Sequence, residues 1–316
     1  MIENKELLNI FNADYNERIS YLKQNDLKLA HYTSAAVALK IIDNKEIWLN
    51  NVGNMNDYRE VELGKNLLAK TFNKTDEGKR LKNILSEIDK DLSKNLIVRY
   101  NKIVDDLDNT YAFCLTEHKK DYDKYGKLSM WRAYAPKNGI AIILNLEPFI
   151  EEARKTSAFT IPMFYYDYEE FADKFKEFVD KIEENIDLFK TITTEEALEF
   201  LYRKFLVSVL SLKHKGFEEE KEWRILYNNI VYIPDELVIE KFEMVNGIPR
   251  IVYVLNFEQL NDFGYSTNLN NILYKIIIGP SDNPKQLQEI FIKKLKENGV
   301  TNAESKVVIS EIPVRI

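Results

Sequence analysis

Lys28-Leu29-Ala30-His31-Tyr32-Thr33-Ser34, then Ala35-Ala36-Val37-Ala38-Leu39-Lys40-Ile41-Ile42, then Glu46-Ile47-Trp48-Leu49-Asn50 is the stretch whose reading decides the fold. Residues 28–32 predict a short strand. Thr33 or Ser34 can cap the helix that follows, because a hydroxyl oxygen accepts an amide proton that a helix start leaves unbonded. Asp43-Asn44 stop that helix, and Glu46 to Asn50 read as the next strand. A strand, a helix and a strand in about two dozen residues is close to the shortest crossover that joins parallel strands. A sheet with helices against it is therefore expected.

Working outward, Leu8, Phe11, Tyr15, Ile19 and Leu22 recur at helical spacing and predict a first helix ending near Asn25-Asp26. Beyond Leu107, strands are predicted at Thr110–Leu115 and Gly139–Leu144, with one or two helical turns over Leu128–Tyr134 between them, stopped by Pro136 and Asn138-Gly139. Further strands are read at Glu222–Tyr227, Leu237–Phe242, Arg250–Leu255, Leu273–Ile278 and Lys306–Ile312, and a helix at Lys285–Glu297. Two stretches are helical instead. Leu81, Leu85, Ile88, Leu92 and Leu96 form one stripe of an inserted helical pair; Phe171, Phe175, Phe178, Ile182 and Ile186 form another, followed by a helix from a Thr193–Glu196 capping box towards Leu212. With no repeat and no low-complexity linker, the expectation is one α+β domain over residues 1–316 with helical insertions at about 57–107 and 167–213.

The 316 residues are 45% apolar and 30% charged, ordinary globular values that exclude a disordered or collagen-like chain. Cys114 is the sole cysteine, so no intrachain disulfide forms, which fits a reducing cytoplasm. Three histidines and one cysteine are too few for the usual His or thiolate metal site, and no metal is expected. The formal net charge of -7 sets an overall field that repels a polyanion, although a local basic groove stays open as an alternative. The charged start Met1-Ile2-Glu3-Asn4-Lys5-Glu6 lacks a signal-peptide apolar run, and no segment approaches the ~20 apolar residues of a membrane helix. A cytoplasmic protein with no membrane partner is the expectation. No Gly-rich phosphate loop, serine elbow or spaced Cys/His pair appears.

Several residues could carry chemistry. His31-Tyr32-Thr33 ends a strand just before a helix start, where a side chain and free amides can together meet a phosphate or ribose; otherwise His31 satisfies a polar spot at a strand end. Glu218-Glu219-Glu220-Lys221-Glu222-Trp223-Arg224 enters a strand whose period of two puts Glu220, Glu222 and Arg224 on one face. Repulsion between the two carboxylates would raise one group's proton affinity, suited to binding a sugar hydroxyl or stabilising a developing cation. The other reading is a solvated acidic edge. Asn56 or Asp57 is read as a helix cap, and Trp131 with Tyr134 as an aromatic face that either stacks on a flat ring or packs in the core.

Taken in order, Ala30-His31-Tyr32-Thr33-Ser34, the Trp48 strand, Asn56-Asp57 with Glu60, Phe113-Cys114-Leu115-Thr116, Met130-Trp131 with Tyr134, Gly139-Ile140 and Glu220-Lys221-Glu222-Trp223-Arg224 resemble the bacterial domain-of-unknown-function family numbered twenty-nine seventy-one. The resemblance runs on to Ile278-Gly279 and Ser310-Glu311-Ile312-Pro313. A further resemblance, to ADP-ribosyltransferase folds of the DNA-modifying toxin branch, rests on the opening His31 unit and on Leu128-Ser129-Met130-Trp131. It implies a mixed, mainly antiparallel sheet core and NAD as substrate. By that resemblance His31 holds ribose, Glu222 assists cleavage of the glycosidic bond with Glu220 beside it, and an aromatic from Tyr32, Tyr111, Trp131 and Tyr134 packs on nicotinamide. Tyr32, Thr33, Trp48, Asn56, Trp131, Tyr134 and Arg224 complete the NAD-binding set. The implied function is an NAD-consuming transferase or glycohydrolase acting on nucleic acid or protein, a toxin or phage-defence effector with an antitoxin or defence partner. The alternative is a non-catalytic nucleic-acid-binding or partner-sensing module in which aromatics stack on bases.

Overall fold

The computed structural model describes residues 7, 11–54, 59–102, 109–135, 137–145, 150, 158–228, 237–245, 247–262 and 267–313. In chain order they form α1 (Ala13–Gln24), β1 (Lys28–Ser34), α2 (Ala35–Asn44), β2 (Glu46–Asn51), α3 (Arg59–Lys74), α4 (Asp76–Ile88), α5 (Leu92–Asn101), β3 (Thr110–His118), α6 (Leu128–Tyr134), β4 (Gly139–Leu144), β5 (Phe159–Pro162), β6 (Phe164–Tyr165), α7 (Tyr168–Glu184), α8 (Ile186–Phe189), α9 (Thr194–Leu210), β7 (Leu212–Lys213), β8 (Glu222–Asn228), β9 (Val238–Val245), β10 (Ile248–Asn256), α10 (Phe257–Asp262), α11 (Leu269–Ile272), β11 (Leu273–Ile278), α12 (Pro284–Glu297), α13 (Ala303–Lys306) and β12 (Val307–Ile309). The fold is α+β, with an open, mainly antiparallel sheet in which the β11–β12 pair is parallel. No helix among the described residues is long and apolar enough to cross a membrane.

The chain divides into two compact units. One gathers residues 1–18, 52–109 and 162–219, so both predicted helical stretches fall in it. Its helices are capped as their sequences dictate. Thr193 and Glu196 exchange the reciprocal bonds of a capping box at α9, and Asp167 with Glu170 does the same at α7. The stretch predicted as a helical pair is three helices, because Thr75 caps α4 afresh and the extended backbone at Asp89 ends it. Phe11 packs edge-on against Phe178, Phe189 and Phe200, so aromatic rings supply much of this unit's core.

The other unit, residues 19–51, 110–161 and 220–316, holds the ten-stranded sheet. The opening strand, helix and strand form as predicted, with Ser34 as the residue whose hydroxyl accepts from the Val37 amide. Both β1 and β2 run antiparallel to β3, so they are parallel to each other. They use the same edge of β3 in turn. Lys28, Leu29 and Ala30 pair with His118, Glu117 and Thr116, whereas Asn50 and Asn51 pair with Ala112 and Tyr111. Residues 113–115 pair with neither, and there the sheet forks: β1 continues against β4, β2 against β10. The opposite edge of β3 is taken along its length by β8.

Helix α6 lies on the side of the sheet that carries Ala30 and Tyr32, where Trp131, Met130 and Ala135 pack with Ala141, Ile143 and Ile277. Trp131 is fully buried and its indole N–H donates to the Tyr125 carbonyl at 2.8 Å. Two glycines form its slot. A Cβ at Gly126 would stand 2.7 Å from the indole, and one at Gly279 would stand 2.8 Å from it. Gly126 also has φ +70°, a conformation glycine adopts without strain.

Trp131→Ala is expected to lower the stability of this unit by about 3–5 kcal/mol. The check is the urea dependence of amide exchange in β1 and β4; a loss below about 1 kcal/mol would show that the slot does not pin the sheet.

Candidate functional site

The site is built at the start of β8. The six-residue 3-10 turn Lys215–Glu220 ends at Glu220, and Lys221 then takes a left-handed backbone with φ +46°. That kink moves Glu220 out of the strand. The predicted alternation therefore holds for Glu222 and Arg224 alone, and Glu220 reaches the site from the turn. Its carbonyl accepts from the Thr116 hydroxyl and, at 3.4 Å, from the Lys127 ammonium. Its Oε1 accepts from the Tyr134 hydroxyl at 2.8 Å. Tyr134 keeps 38% of its surface exposed, and Glu220 keeps 9%.

Glu222 and Arg224 stand two apart on one face of β8, both buried. Arg224 donates from Nε to Oε1 at 2.6 Å and from a terminal nitrogen to Oε2 at 3.2 Å. This bidentate pairing holds Glu222 ionised and compensates its charge. The expected repulsion between Glu220 and Glu222 is thereby relieved, since Arg224 balances one of the two.

His31 occupies the fork. Its Nδ1 stands 2.9 Å from the carbonyl of Cys114, and its ring stacks on Phe113 with centroids 4.2 Å apart. A carbonyl only accepts, so Nδ1 carries the proton of this bond. Burial pushes the imidazole down from 6.5 to about 4, outweighing the opposite pull of the Cys114 bond, so the ring is neutral at pH 7 and Nε2 is unprotonated. Glu222 is in register with Thr116, and Thr116 with Ala30. By alternation Glu222 shares the side of Ala30 and Tyr32, and His31 projects from the other. The pairing of His31 with Glu222 around one ligand, expected from the sequence, is not what the strand register produces.

The remaining predicted residues divide. Trp131 and Tyr32 are core: Tyr32 packs edge-on against Trp131, and its hydroxyl accepts from the Lys127 amide at 2.7 Å. Burial also pushes the Tyr32 phenol well up, so it stays protonated. Thr33 is buried, and Trp48 is buried with its indole N–H on Glu46 at 2.9 Å. Tyr111 is buried against Tyr253. Asn56 lies outside the described residues. Of the aromatic candidates only Tyr134 offers a substantially exposed ring, and it belongs to the carboxylate cluster.

A second cluster escaped the sequence reading. Asp123 accepts from His118 at 2.9 Å, from the Tyr274 hydroxyl at 2.8 Å and from Lys275 at 2.6 Å. Burial works to raise Asp123, but the Lys275, His118 and Tyr274 bonds outweigh it and hold the carboxyl below its usual range. Burial lowers His118 against the pull of Asp123. The cluster ties the turn Lys120–Tyr122 to β3 and β11. Its members come from separate elements with no common spacing, so no local motif announces it.

Comparison with known proteins bears on one part of the chain. Residues 130–225 match the family described as protein of unknown function, DUF2971. The family resemblance read from the sequence thus holds over this stretch. No curated protein and no solved structure matches the chain. The DUF2971 stretch runs from Met130 to Ile225 and includes Tyr134, Glu220, Glu222 and Arg224, while His31, Trp48 and the Asp123 cluster lie outside it.

Arg224→Met leaves Glu222 buried without its partner and is expected to cost about 3–5 kcal/mol, whereas Glu222→Leu with Arg224→Met costs far less. Chemical denaturation of the two variants checks this; equal losses would mean that the pair's geometry, not its charge balance, carries the effect. For His31, the unfolded chain binds a proton near pH 6.5 and the native chain only near 4, so its stabilising contribution is complete above 6.5 and is lost as the pH falls towards 4. His31→Phe is expected to flatten the pH dependence of the urea midpoint across that window, with the smaller His118 dependence remaining.

Proposed function

We propose that the protein is an NAD-consuming enzyme of ADP-ribosyltransferase type, with Glu220 as the acting carboxylate. The observation that supports this is the pair of carboxylates at the start of β8: Arg224 holds Glu222 by both oxygens, and buried Glu220 accepts from the hydroxyl of Tyr134, whose side chain is part-exposed. Breaking the bond between nicotinamide and ribose releases neutral nicotinamide and leaves positive charge on the ribose carbon. An ionised carboxylate already aimed at that position lowers the barrier without having to reorganise. A nucleophilic oxygen or nitrogen of the acceptor, or water, then bonds to the ribose carbon and gives up its proton to a carboxylate or to solvent.

In this reading Tyr134 orients Glu220 and offers its ring to the nicotinamide, while Glu222 and Arg224 fix the strand on which the site stands. His31 is assigned to the fork, on the opposite side of the sheet. A nucleic acid or protein acceptor, and a toxin or defence role, follow as part of the same proposal.

The test is nicotinamide release from NAD by the full chain, alone and with DNA, RNA or cell extract. Glu220→Gln is expected to lower release by about 100-fold or more and Tyr134→Phe by about tenfold. Loss of activity in His31→Ala with stability intact would move the site to the fork. Absence of both release and NAD binding under every condition would overturn the proposal and leave the binding-module reading.

A further inference from the structure

The hairpin β9–β10 presents a face that its own chain leaves uncovered. Phe242 pairs with Ile251 and Met244 with Pro249 across the hairpin, so these four side chains share one side of the sheet. Phe242 is 77% exposed, Met244 55% and Ile251 41%. Among the described residues β9 is also the last strand on its side of the sheet and pairs with β10 alone. An apolar face that ends on an open strand edge is the arrangement folded proteins ordinarily cover or break up.

The sequence of that edge, Ile239-Glu240-Lys241-Phe242-Glu243-Met244-Val245, is complementary to itself. We propose that β9 pairs antiparallel with β9 of a second copy of this chain, about a two-fold axis passing through Phe242. In this register Phe242 faces Phe242 of the second copy, Lys241 faces its Glu243, and Glu243 faces its Lys241. On one side of the sheet the two Phe242 rings meet at the axis, flanked by Met244 of each copy opposite Glu240 of the other; on the other side opposite charges meet and Ile239 faces Val245. Neighbouring registers lose this. Moving the axis to Lys241 or Glu243 sets like charges against each other on the axis, and slipping by one residue loses both the Phe242 pair and the Lys241–Glu243 pairs. The interface is isologous, so each copy gives the same edge and the assembly closes as a dimer.

Within its own chain Lys241 reaches Glu46 at 2.6 Å and Glu243 stands 3.5 Å from Lys40. Both cross-copy charges therefore extend existing pairs rather than bring in isolated ions. Phe242 makes no such demand on the monomer, because most of its surface is already in water.

The test is sedimentation velocity on the full chain, with circular dichroism as the check on folding. The wild type is expected to be dimeric, and Phe242→Asp, which sets two carboxylates on the axis, is expected to weaken association about tenfold or more with an unchanged spectrum. A residue on a two-fold axis meets itself, so Phe242→Cys is expected to form a covalent dimer under mild oxidation, since opposed antiparallel residues lie within disulfide reach. Ile251→Cys, on the same face but one strand inward, is not expected to do so, and Cys114 in every variant sets the background. A wild type that stays monomeric up to its solubility limit overturns the proposal. So does a dimer unaffected by Phe242→Asp, or equal cross-linking through positions 242 and 251.

Discussion

Strand β3 has one edge to give to two partners, and the architecture of the sheet-bearing unit follows from how that edge is divided. β1 holds the end at residues 116–118 and β2 the end at residues 111–112. On this edge the stretch between them is in register with neither strand, while β8 pairs with it on the other. A backbone carbonyl inside a sheet needs a hydrogen-bond donor, and at Cys114 the His31 ring N–H is directed at it. Desolvating the imidazole keeps it neutral, which is the state in which Nδ1 donates while Nε2 stays bare. Phe113 stacked on the ring closes the notch. The short crossover helix α2 makes the division possible, since it carries the chain from one side of the fork to the other in ten residues.

Beside this economical use of β3, the charges on β8 look extravagant. The strand is buried from Glu222 to Asn228, yet it carries an ion pair at its start, with a third charged group, Glu220, beside it. Desolvating each ion costs several kcal/mol, and well-packed apolar residues in the same space are commonly as stable or more so. Stability alone is a weak reason for such a cluster. The planar guanidinium of Arg224 can satisfy both oxygens of Glu222 at once, which a lysine could not do. The result is one carboxylate held at both oxygens by a guanidinium and a neighbour that accepts from the Tyr134 hydroxyl, two carboxylates in unlike surroundings a few residues apart.

Much of the fold was legible because its signals are local. The Thr193–Glu196 box, the apolar run Gly139–Leu144 and the run Leu273–Ile278 each carry their own boundaries, and the structure keeps those boundaries. What was not legible depends on distant residues. Trp131 reads from sequence as a stacking shelf or, as such pairs more often are, as core, and it is Gly279 pressing on its ring that decides for core. Glu220 reads as a strand residue because lysine carries no signal for the left-handed backbone that Lys221 adopts. The side of the sheet taken by His31 is set by the register of β1 on β3 and of β3 on β8, a relation between three segments that no window of sequence contains. The sequence therefore singles out the carboxylates and Tyr134 as candidates, which the structure brings together, but it holds no sign of their separation from His31.

That separation has a mechanical consequence, because the same β3 residues serve both sides. Cys114 receives the His31 bond at its carbonyl and stands in register with Arg224 on the other edge. Thr116, two residues on, is in register with Glu222 and bonds the carbonyl of Glu220 through its hydroxyl. The fork and the carboxylate cluster thus stand on the two edges of β3, with β1 and β8 two strand spacings of about 4.8 Å apart, and β8 holds residues 110–116 of β3 on one edge. A sheet ladder tolerates little independent motion of its rows, so a shift of β3 towards β1 would carry Thr116 with it and draw on the bond to Glu220. Thr116 is itself in register with Ala30 on one edge and Glu222 on the other, so the place at which it holds Glu220 is fixed by strand pairing on both sides, and His31 serves the separate task of closing the fork.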